Sequence, residues 1–115
     1  MKSKMQDYNF VAINYISCKD DYREKFEYLF GTRAHAIDRM PGFAGMEVLK
    51  PKKDDDNCYL IMSRWVSEES FKAWLGSPEF IESHKRGFED VLLAKKEGRK
   101  PPVTSDFKTY AILSR

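Results

Sequence analysis

His84 is one of two histidines in the chain, and its neighbours decide what an imidazole there can do. Phe80 lies four residues before it and Phe88 four residues after it, so on a helix all three share one face. An imidazole on such a face is either a core side chain satisfied by one hydrogen bond, the commoner outcome of that spacing, or a neutral ligand offered from an apolar wall. The second arrangement suits a haem iron. Gly87 follows three residues on. Glycine inside a helix costs about 0.5–1 kcal/mol relative to alanine, and its missing side chain leaves room for a flat ligand.

Two further residues stand out by type and place. Asn14 falls among Ile13, Tyr15 and Ile16, where asparagine is a poor strand former. Burying its amide unpaired costs about 1–3 kcal/mol. Either a neighbouring strand or subunit pairs it, or it points a donor into a cavity. Trp74 belongs to a helical stripe with Phe71 and Leu75. Such stripes are usually core, and spacing alone favours packing.

Other chemistries lack their motifs. The sequence holds no Gly-rich phosphate loop, HExxH, GxSxG or dinucleotide fingerprint. Cys18 and Cys58 have no CxxC partner, which argues against structural zinc and for reduced core thiols. The 20 basic and 18 acidic residues nearly cancel, so no nucleic-acid partner is expected. No apolar run approaches the ~20 residues that span a bilayer, so no membrane partner is expected either. The start, MKSKMQDYNF, has no apolar segment of the secretory kind. The expected compartment is the cytoplasm.

The elements that must position these residues follow from periodicity. Tyr8–Ser17 reads as a strand with Phe10, Ala12, Asn14 and Ile16 on one face and Val11, Ile13 and Tyr15 on the other. Both faces are apolar, so both must be covered. Tyr22, Phe26, Leu29, Arg33, Ile37 and Met40 follow helical steps, and Pro41-Gly42 should end that helix. Phe43–Lys50 and Cys58–Trp65 read as strands joined by the exposed turn Pro51–Asn57. Ser67 should cap a helix that Gly76 stops. Ser77, with Pro78 behind it, should cap another whose buried face is Phe80, Ile81, His84, Phe88, Val91 and Leu92. Lys95–Pro102 reads as a basic solvated loop before a last strand, Val103–Leu113. The order β-α-β-β-α-β predicts one α+β ferredoxin-like domain over residues 1–115. Helices cover only one face of such a sheet, so the other is expected to meet a second copy in a dimeric α/β barrel.

The run RWVSEESFKAWLGSPEFIESHKRG, Arg64 to Gly87, resembles the signature region of the IsdG/IsdI-type haem-degrading monooxygenases. These form a branch of the antibiotic biosynthesis monooxygenase (ABM) superfamily. The likeness extends over nearly the whole chain: an early strand carrying an asparagine, a helix ending in MPGF, a β-hairpin and a final strand after a loop. It implies a homodimer with His84 ligating haem iron, Trp74 packed on the distal side and ruffling the macrocycle, and Asn14 hydrogen-bonding the distal ligand. Asn9, on the opposite strand face by parity, is the alternative asparagine. Haem would be both substrate and cofactor, with O2 and an external electron donor, a reductase or small-molecule reductant, completing the reaction. General ABM relatives carry a histidine after alanine where this chain has Ala73-Trp74, so Trp74 is the discriminating residue. Two rivals stay open: a cofactor-free ABM oxygenase of quinols or polyketide-like aromatics, and a non-catalytic haem-binding protein.

Overall fold

The computed structural model describes residues 7–115. Four strands form one antiparallel sheet: β1 (Phe10–Cys18), β2 (Phe43–Leu49), β3 (Cys58–Trp65) and β4 (Val103–Ala111), in the order β2-β3-β1-β4. The central place of β1, with β3 on one side and β4 on the other, explains why its sequence is apolar in both directions. Three helices, α1 (Arg23–Gly31), α2 (Glu68–Leu75) and α3 (Pro78–Lys96), complete the ferredoxin-like α+β arrangement.

The strand faces follow the expected parity. Ala12, Ile16 and Cys18 of β1 are buried with Phe26, Tyr59, Trp65, Phe71 and Trp74, on the face the helices cover. Cys18 and Cys58 are free thiols, the first fully buried and the second only half-buried, so Cys58 is not the core thiol expected of it. The core divides in two along β1. Ala12 belongs to a cluster with Ile37, Trp65, Phe71 and Trp74, while Ile16 and Cys18 belong to another with Phe26 and Tyr59. Asn14 sits between them.

Two expectations are corrected. The helix expected over Tyr22–Met40 ends at Gly31, and a short 3-10 turn, Ala36–Arg39, follows after His35 in the left-handed region at φ 59°. The stop falls at a glycine, and a distant side chain closes the end. Arg86 of α3 donates to the Leu29 carbonyl and to the Thr32 carbonyl and hydroxyl, each at 3.0 Å. A guanidinium there satisfies the orphan carbonyls and complements the negative helix end. Ile37 and Met40 still reach the core from the 3-10 turn. The second correction concerns α3. Ile81, Phe88 and Leu92 were expected to be buried but are 67%, 48% and 62% exposed. The helix lies close to the Ala36–Arg39 turn and to α2, and it reaches the core through Phe80 and the fully buried Ala94.

A second polar anchor fixes α3. Asp90 accepts from the Tyr22 hydroxyl at 2.6 Å and pairs with Lys25 at 2.8 Å. Lys25 first, and then the Tyr22 hydroxyl, hold the Asp90 carboxyl below its usual range. A depressed carboxyl stabilises the fold fully above its unfolded value of about 3.9, and that contribution is lost as pH falls through the lower folded value. Circular dichroism across an acid titration should therefore show Asp90→Asn less stable at neutral pH and shallower in its acid dependence. A variant as steep as the parent would refute the anchor.

Gly42 closes the turn into β2 at φ +82°, and an added Cβ would come within 2.6 Å of Ser70 Cβ. Strain and overlap together should cost about 2–4 kcal/mol in Gly42→Ala, read as a lower urea midpoint. A neutral substitution would show that the loop and α2 shift freely.

Candidate functional site

The site is built where α2 hands over to α3. Ser67 caps α2 by accepting from the Ser70 amide at 3.2 Å, with Glu68 and Glu69 in its first turn, as its sequence predicts. This orients Phe71 and Trp74 toward the sheet, where both are buried. Trp74 lies 6.3 Å from Trp65 between ring centroids and meets Phe80 edge-on at 5.3 Å. Only Gly76 and Ser77 separate the two helices, and Ser77 caps α3 with Pro78 in its first turn.

One turn into α3, the His84 ring lies against Phe80 at 4.1 Å, with Phe88 at 5.4 Å beyond it and Trp74 at 6.3 Å. His84 Nδ1 lies 2.7 Å from the Phe80 carbonyl oxygen. A carbonyl only accepts, so Nδ1 carries the proton, and in the neutral ring Nε2 keeps its lone pair. That is the tautomer a metal-ligating histidine needs, with its second nitrogen fixed by a backbone acceptor. An added Cβ at Gly87 would meet nothing within 4 Å, so the space beside this turn is open.

Asn14 projects from the helix-facing side of β1, between Ile61 of β3 and Phe107 of β4. Its Oδ1 is buried and has no hydrogen-bond partner. Turning the amide end for end would place Nδ2 there instead, so the position can offer an acceptor or a donor. Asn9, the alternative asparagine, lies before β1 and meets Arg115 at 3.4 Å, away from this face. The structure thus brings His84 and Trp74 together and puts Asn14 on the sheet face beneath the helices.

The more enclosed hollows lie elsewhere. One of about 170 Å³ sits between Phe26, Phe30 and Tyr59, and one of about 410 Å³ lies where β1 ends against Lys100–Pro102. Neither touches the three candidate residues. His84 is half-buried on α3, and Phe107 of β4 is 49% exposed although it stacks on Phe71 at 5.6 Å. Sequence reading missed the Phe80 carbonyl, whose only signal is its place four residues before His84. It also missed Arg86 and Asp90, whose helical spacing gave no sign of partners on α1.

The family model for antibiotic biosynthesis monooxygenases matches residues 9–86, which contain all three candidates. The chain belongs to the antibiotic biosynthesis monooxygenase family. Within this ABM family, a Staphylococcus epidermidis protein named heme oxygenase (staphylobilin-producing) is 36% identical over 100 residues, 84% of this chain and 94% of its own length. A Mycobacterium tuberculosis protein named heme oxygenase (mycobilin-producing) is 37% identical over 68 residues, 59% of this chain. That match spans 64% of the mycobacterial protein, just under two thirds of its length. The heme-degrader MhuD from Mycobacterium tuberculosis, solved with two hemes in its active site, matches with a TM-score of 0.65 at 26% identity, over 92% of this chain and 97% of MhuD. The cofactor-independent oxygenase SnoaB from Streptomyces nogalater shares the ABM fold at a TM-score of 0.67 and 20% identity, over 94% and 96% of the two chains.

Open space at Gly87 makes a direct prediction. Gly87→Ala should stabilise the ligand-free protein by about 0.5–1 kcal/mol, since the added methyl meets nothing and the helix gains a better former. Urea unfolding measures it, and a destabilised variant would mean that the backbone is packed against a neighbour there.

Proposed function

We propose that this ABM protein is a haem-degrading monooxygenase in which His84 ligates the iron through Nε2, with Trp74 and Asn14 shaping the distal pocket. The observation that carries the reading is the Nδ1–H bond from His84 to the Phe80 carbonyl at 2.7 Å. It leaves one imidazole lone pair available in an aromatic wall, one turn from the open space at Gly87. Among the described residues no group of three or more His, Cys, Asp or Glu side chains could hold a bare metal ion. A porphyrin brings four nitrogens of its own and asks the protein for a single axial ligand. The orphaned Asn14 amide supplies a polar contact on the sheet side, and the aromatic rings supply the apolar wall.

When bound, haem supplies the oxygen and redox chemistry, and its own ring is the substrate. The chain's residues do the rest. His84 holds the iron, and the Phe80 carbonyl keeps its ring oriented and its tautomer fixed. Trp74, backed by Trp65, would supply an aromatic surface beside the bound haem. Asn14 offers a hydrogen bond on the distal side. O2 and electrons from a reductase or small-molecule reductant complete the reaction, which we place in the cytoplasm.

The other sheet face supports a homodimer. Val11, Ile13, Leu60 and Met62 lie on the side away from the helices, with the Tyr15 and Tyr110 hydroxyls 3.0 Å apart among them. A second copy covering that face gives the α/β barrel, and analytical ultracentrifugation reads its stoichiometry.

Haemin titration tests the reading. The wild-type protein should shift the Soret band with saturable, near-stoichiometric uptake, and His84→Ala should weaken or abolish the shift. Ascorbate or a reductase should then bleach the band and release iron. No Soret shift would favour the cofactor-free chemistry of the same fold. A band that persists under reductant would favour a haem carrier.

A further inference from the structure

Ser77 does more than end one helix and begin the next. Its side chain is 9% exposed, and its hydroxyl makes two hydrogen bonds at once. It donates to the Trp74 carbonyl at 2.7 Å and accepts from the Phe80 amide at 3.1 Å. The Ser77 amide closes on the same Trp74 carbonyl at 3.1 Å. The Phe80 carbonyl in turn accepts from His84 Nδ1. One buried oxygen therefore ties the last turn of α2, which carries Trp74, to the amide of Phe80, the residue whose carbonyl and ring meet His84.

An ordinary N-cap needs only an acceptor for an amide of the first turn. The bond to Trp74 lies outside that role, because it spends the hydroxyl proton on the preceding helix. We propose that Ser77 is a positioning residue that sets the separation and tilt of the Trp74 and His84 rings, and through them the axial geometry of a ligand held between helix and sheet. This rests on the haem reading of His84 and Trp74 given above.

Substitutions at Ser77 separate capping from bridging. Aspartate is as good a cap as serine, but an ionised carboxylate has no proton to donate to the Trp74 carbonyl. Threonine keeps both functions, and the extended backbone of Ser77 at φ −96° and ψ 155° suits a β-branched residue. Alanine loses both.

The full-length variants Ser77→Asp, Ser77→Thr and Ser77→Ala are compared with wild type by thermal unfolding, by ligand-free NMR and by haemin titration. The NMR reads the His84 ring nitrogen shifts and the Trp74–His84 cross-relaxation. Ser77→Asp should unfold above Ser77→Ala, showing that its cap is intact. It should nevertheless lose Trp74–His84 cross-relaxation and bind haemin about tenfold more weakly, the scale of one lost hydrogen bond. Ser77→Thr should match wild type in every readout. A Ser77→Asp protein with wild-type ring signals and wild-type haemin affinity would overturn the proposal and leave Ser77 a simple cap. If wild type takes up no haemin, the haem reading fails, and the ligand-free NMR still decides whether Ser77 couples the two rings.

Discussion

The arrangement of α3 depends on polar anchors along the flank that faces α1. Arg86 fills the carbonyl end of α1, and Asp90 takes the Tyr22 hydroxyl and the Lys25 ammonium. Both contacts hold the helix from one side, so its position does not have to come from apolar burial against the strands. The opposite flank is released as a result. Phe88, Ile81 and Leu92 remain exposed there, and Gly87 faces open space. The half-buried His84 lies between the anchored flank and the exposed one.

Asn14 fits the same design from the sheet side. The core is interrupted at its position, with Ala12 in one cluster and Ile16 in the other. An apolar residue there could join the two clusters and would remove the unpaired amide oxygen. Retaining asparagine forgoes that packing and leaves a buried polar atom unsatisfied, a cost of about 1–3 kcal/mol. An unsatisfied buried polar atom of this kind calls for an explanation that packing alone does not give.

What the sequence made legible was whatever local rules decide. Strand parity put Asn14 on the helix side of β1, and the serines before α2 and α3 announced their caps. The four-residue spacing of Phe80, His84 and Phe88 predicted a shared face, which their ring contacts bear out. The failures were long-range. The helical pattern from Leu29 to Met40 was real, yet α1 stops at Gly31, and an arginine more than fifty residues away bonds the carbonyls at its end. The apolar arc of α3 was read correctly as apolar and wrongly as buried, since periodicity says which residues share a face and not what meets it. Trp74 sits in the core as its stripe suggested. Its nearness to His84 depends on the turn between two helices, and only the family resemblance pointed to it beforehand.

Trp74 and His84 are ten residues apart. On one continuous helix they would be separated by about 15 Å along the axis and would point in different directions. The observed ring separation of 6.3 Å therefore requires a break between them. Gly76, Ser77 and Pro78 encode it. Glycine is a poor helix former at the end of α2, serine can close both helix ends, and proline suits the first turn of α3 while lacking the amide that would continue α2. A short sequence that looks like punctuation between two helices is thus the element that brings the Trp74 indole and the His84 imidazole together. Its middle residue holds both by a single oxygen.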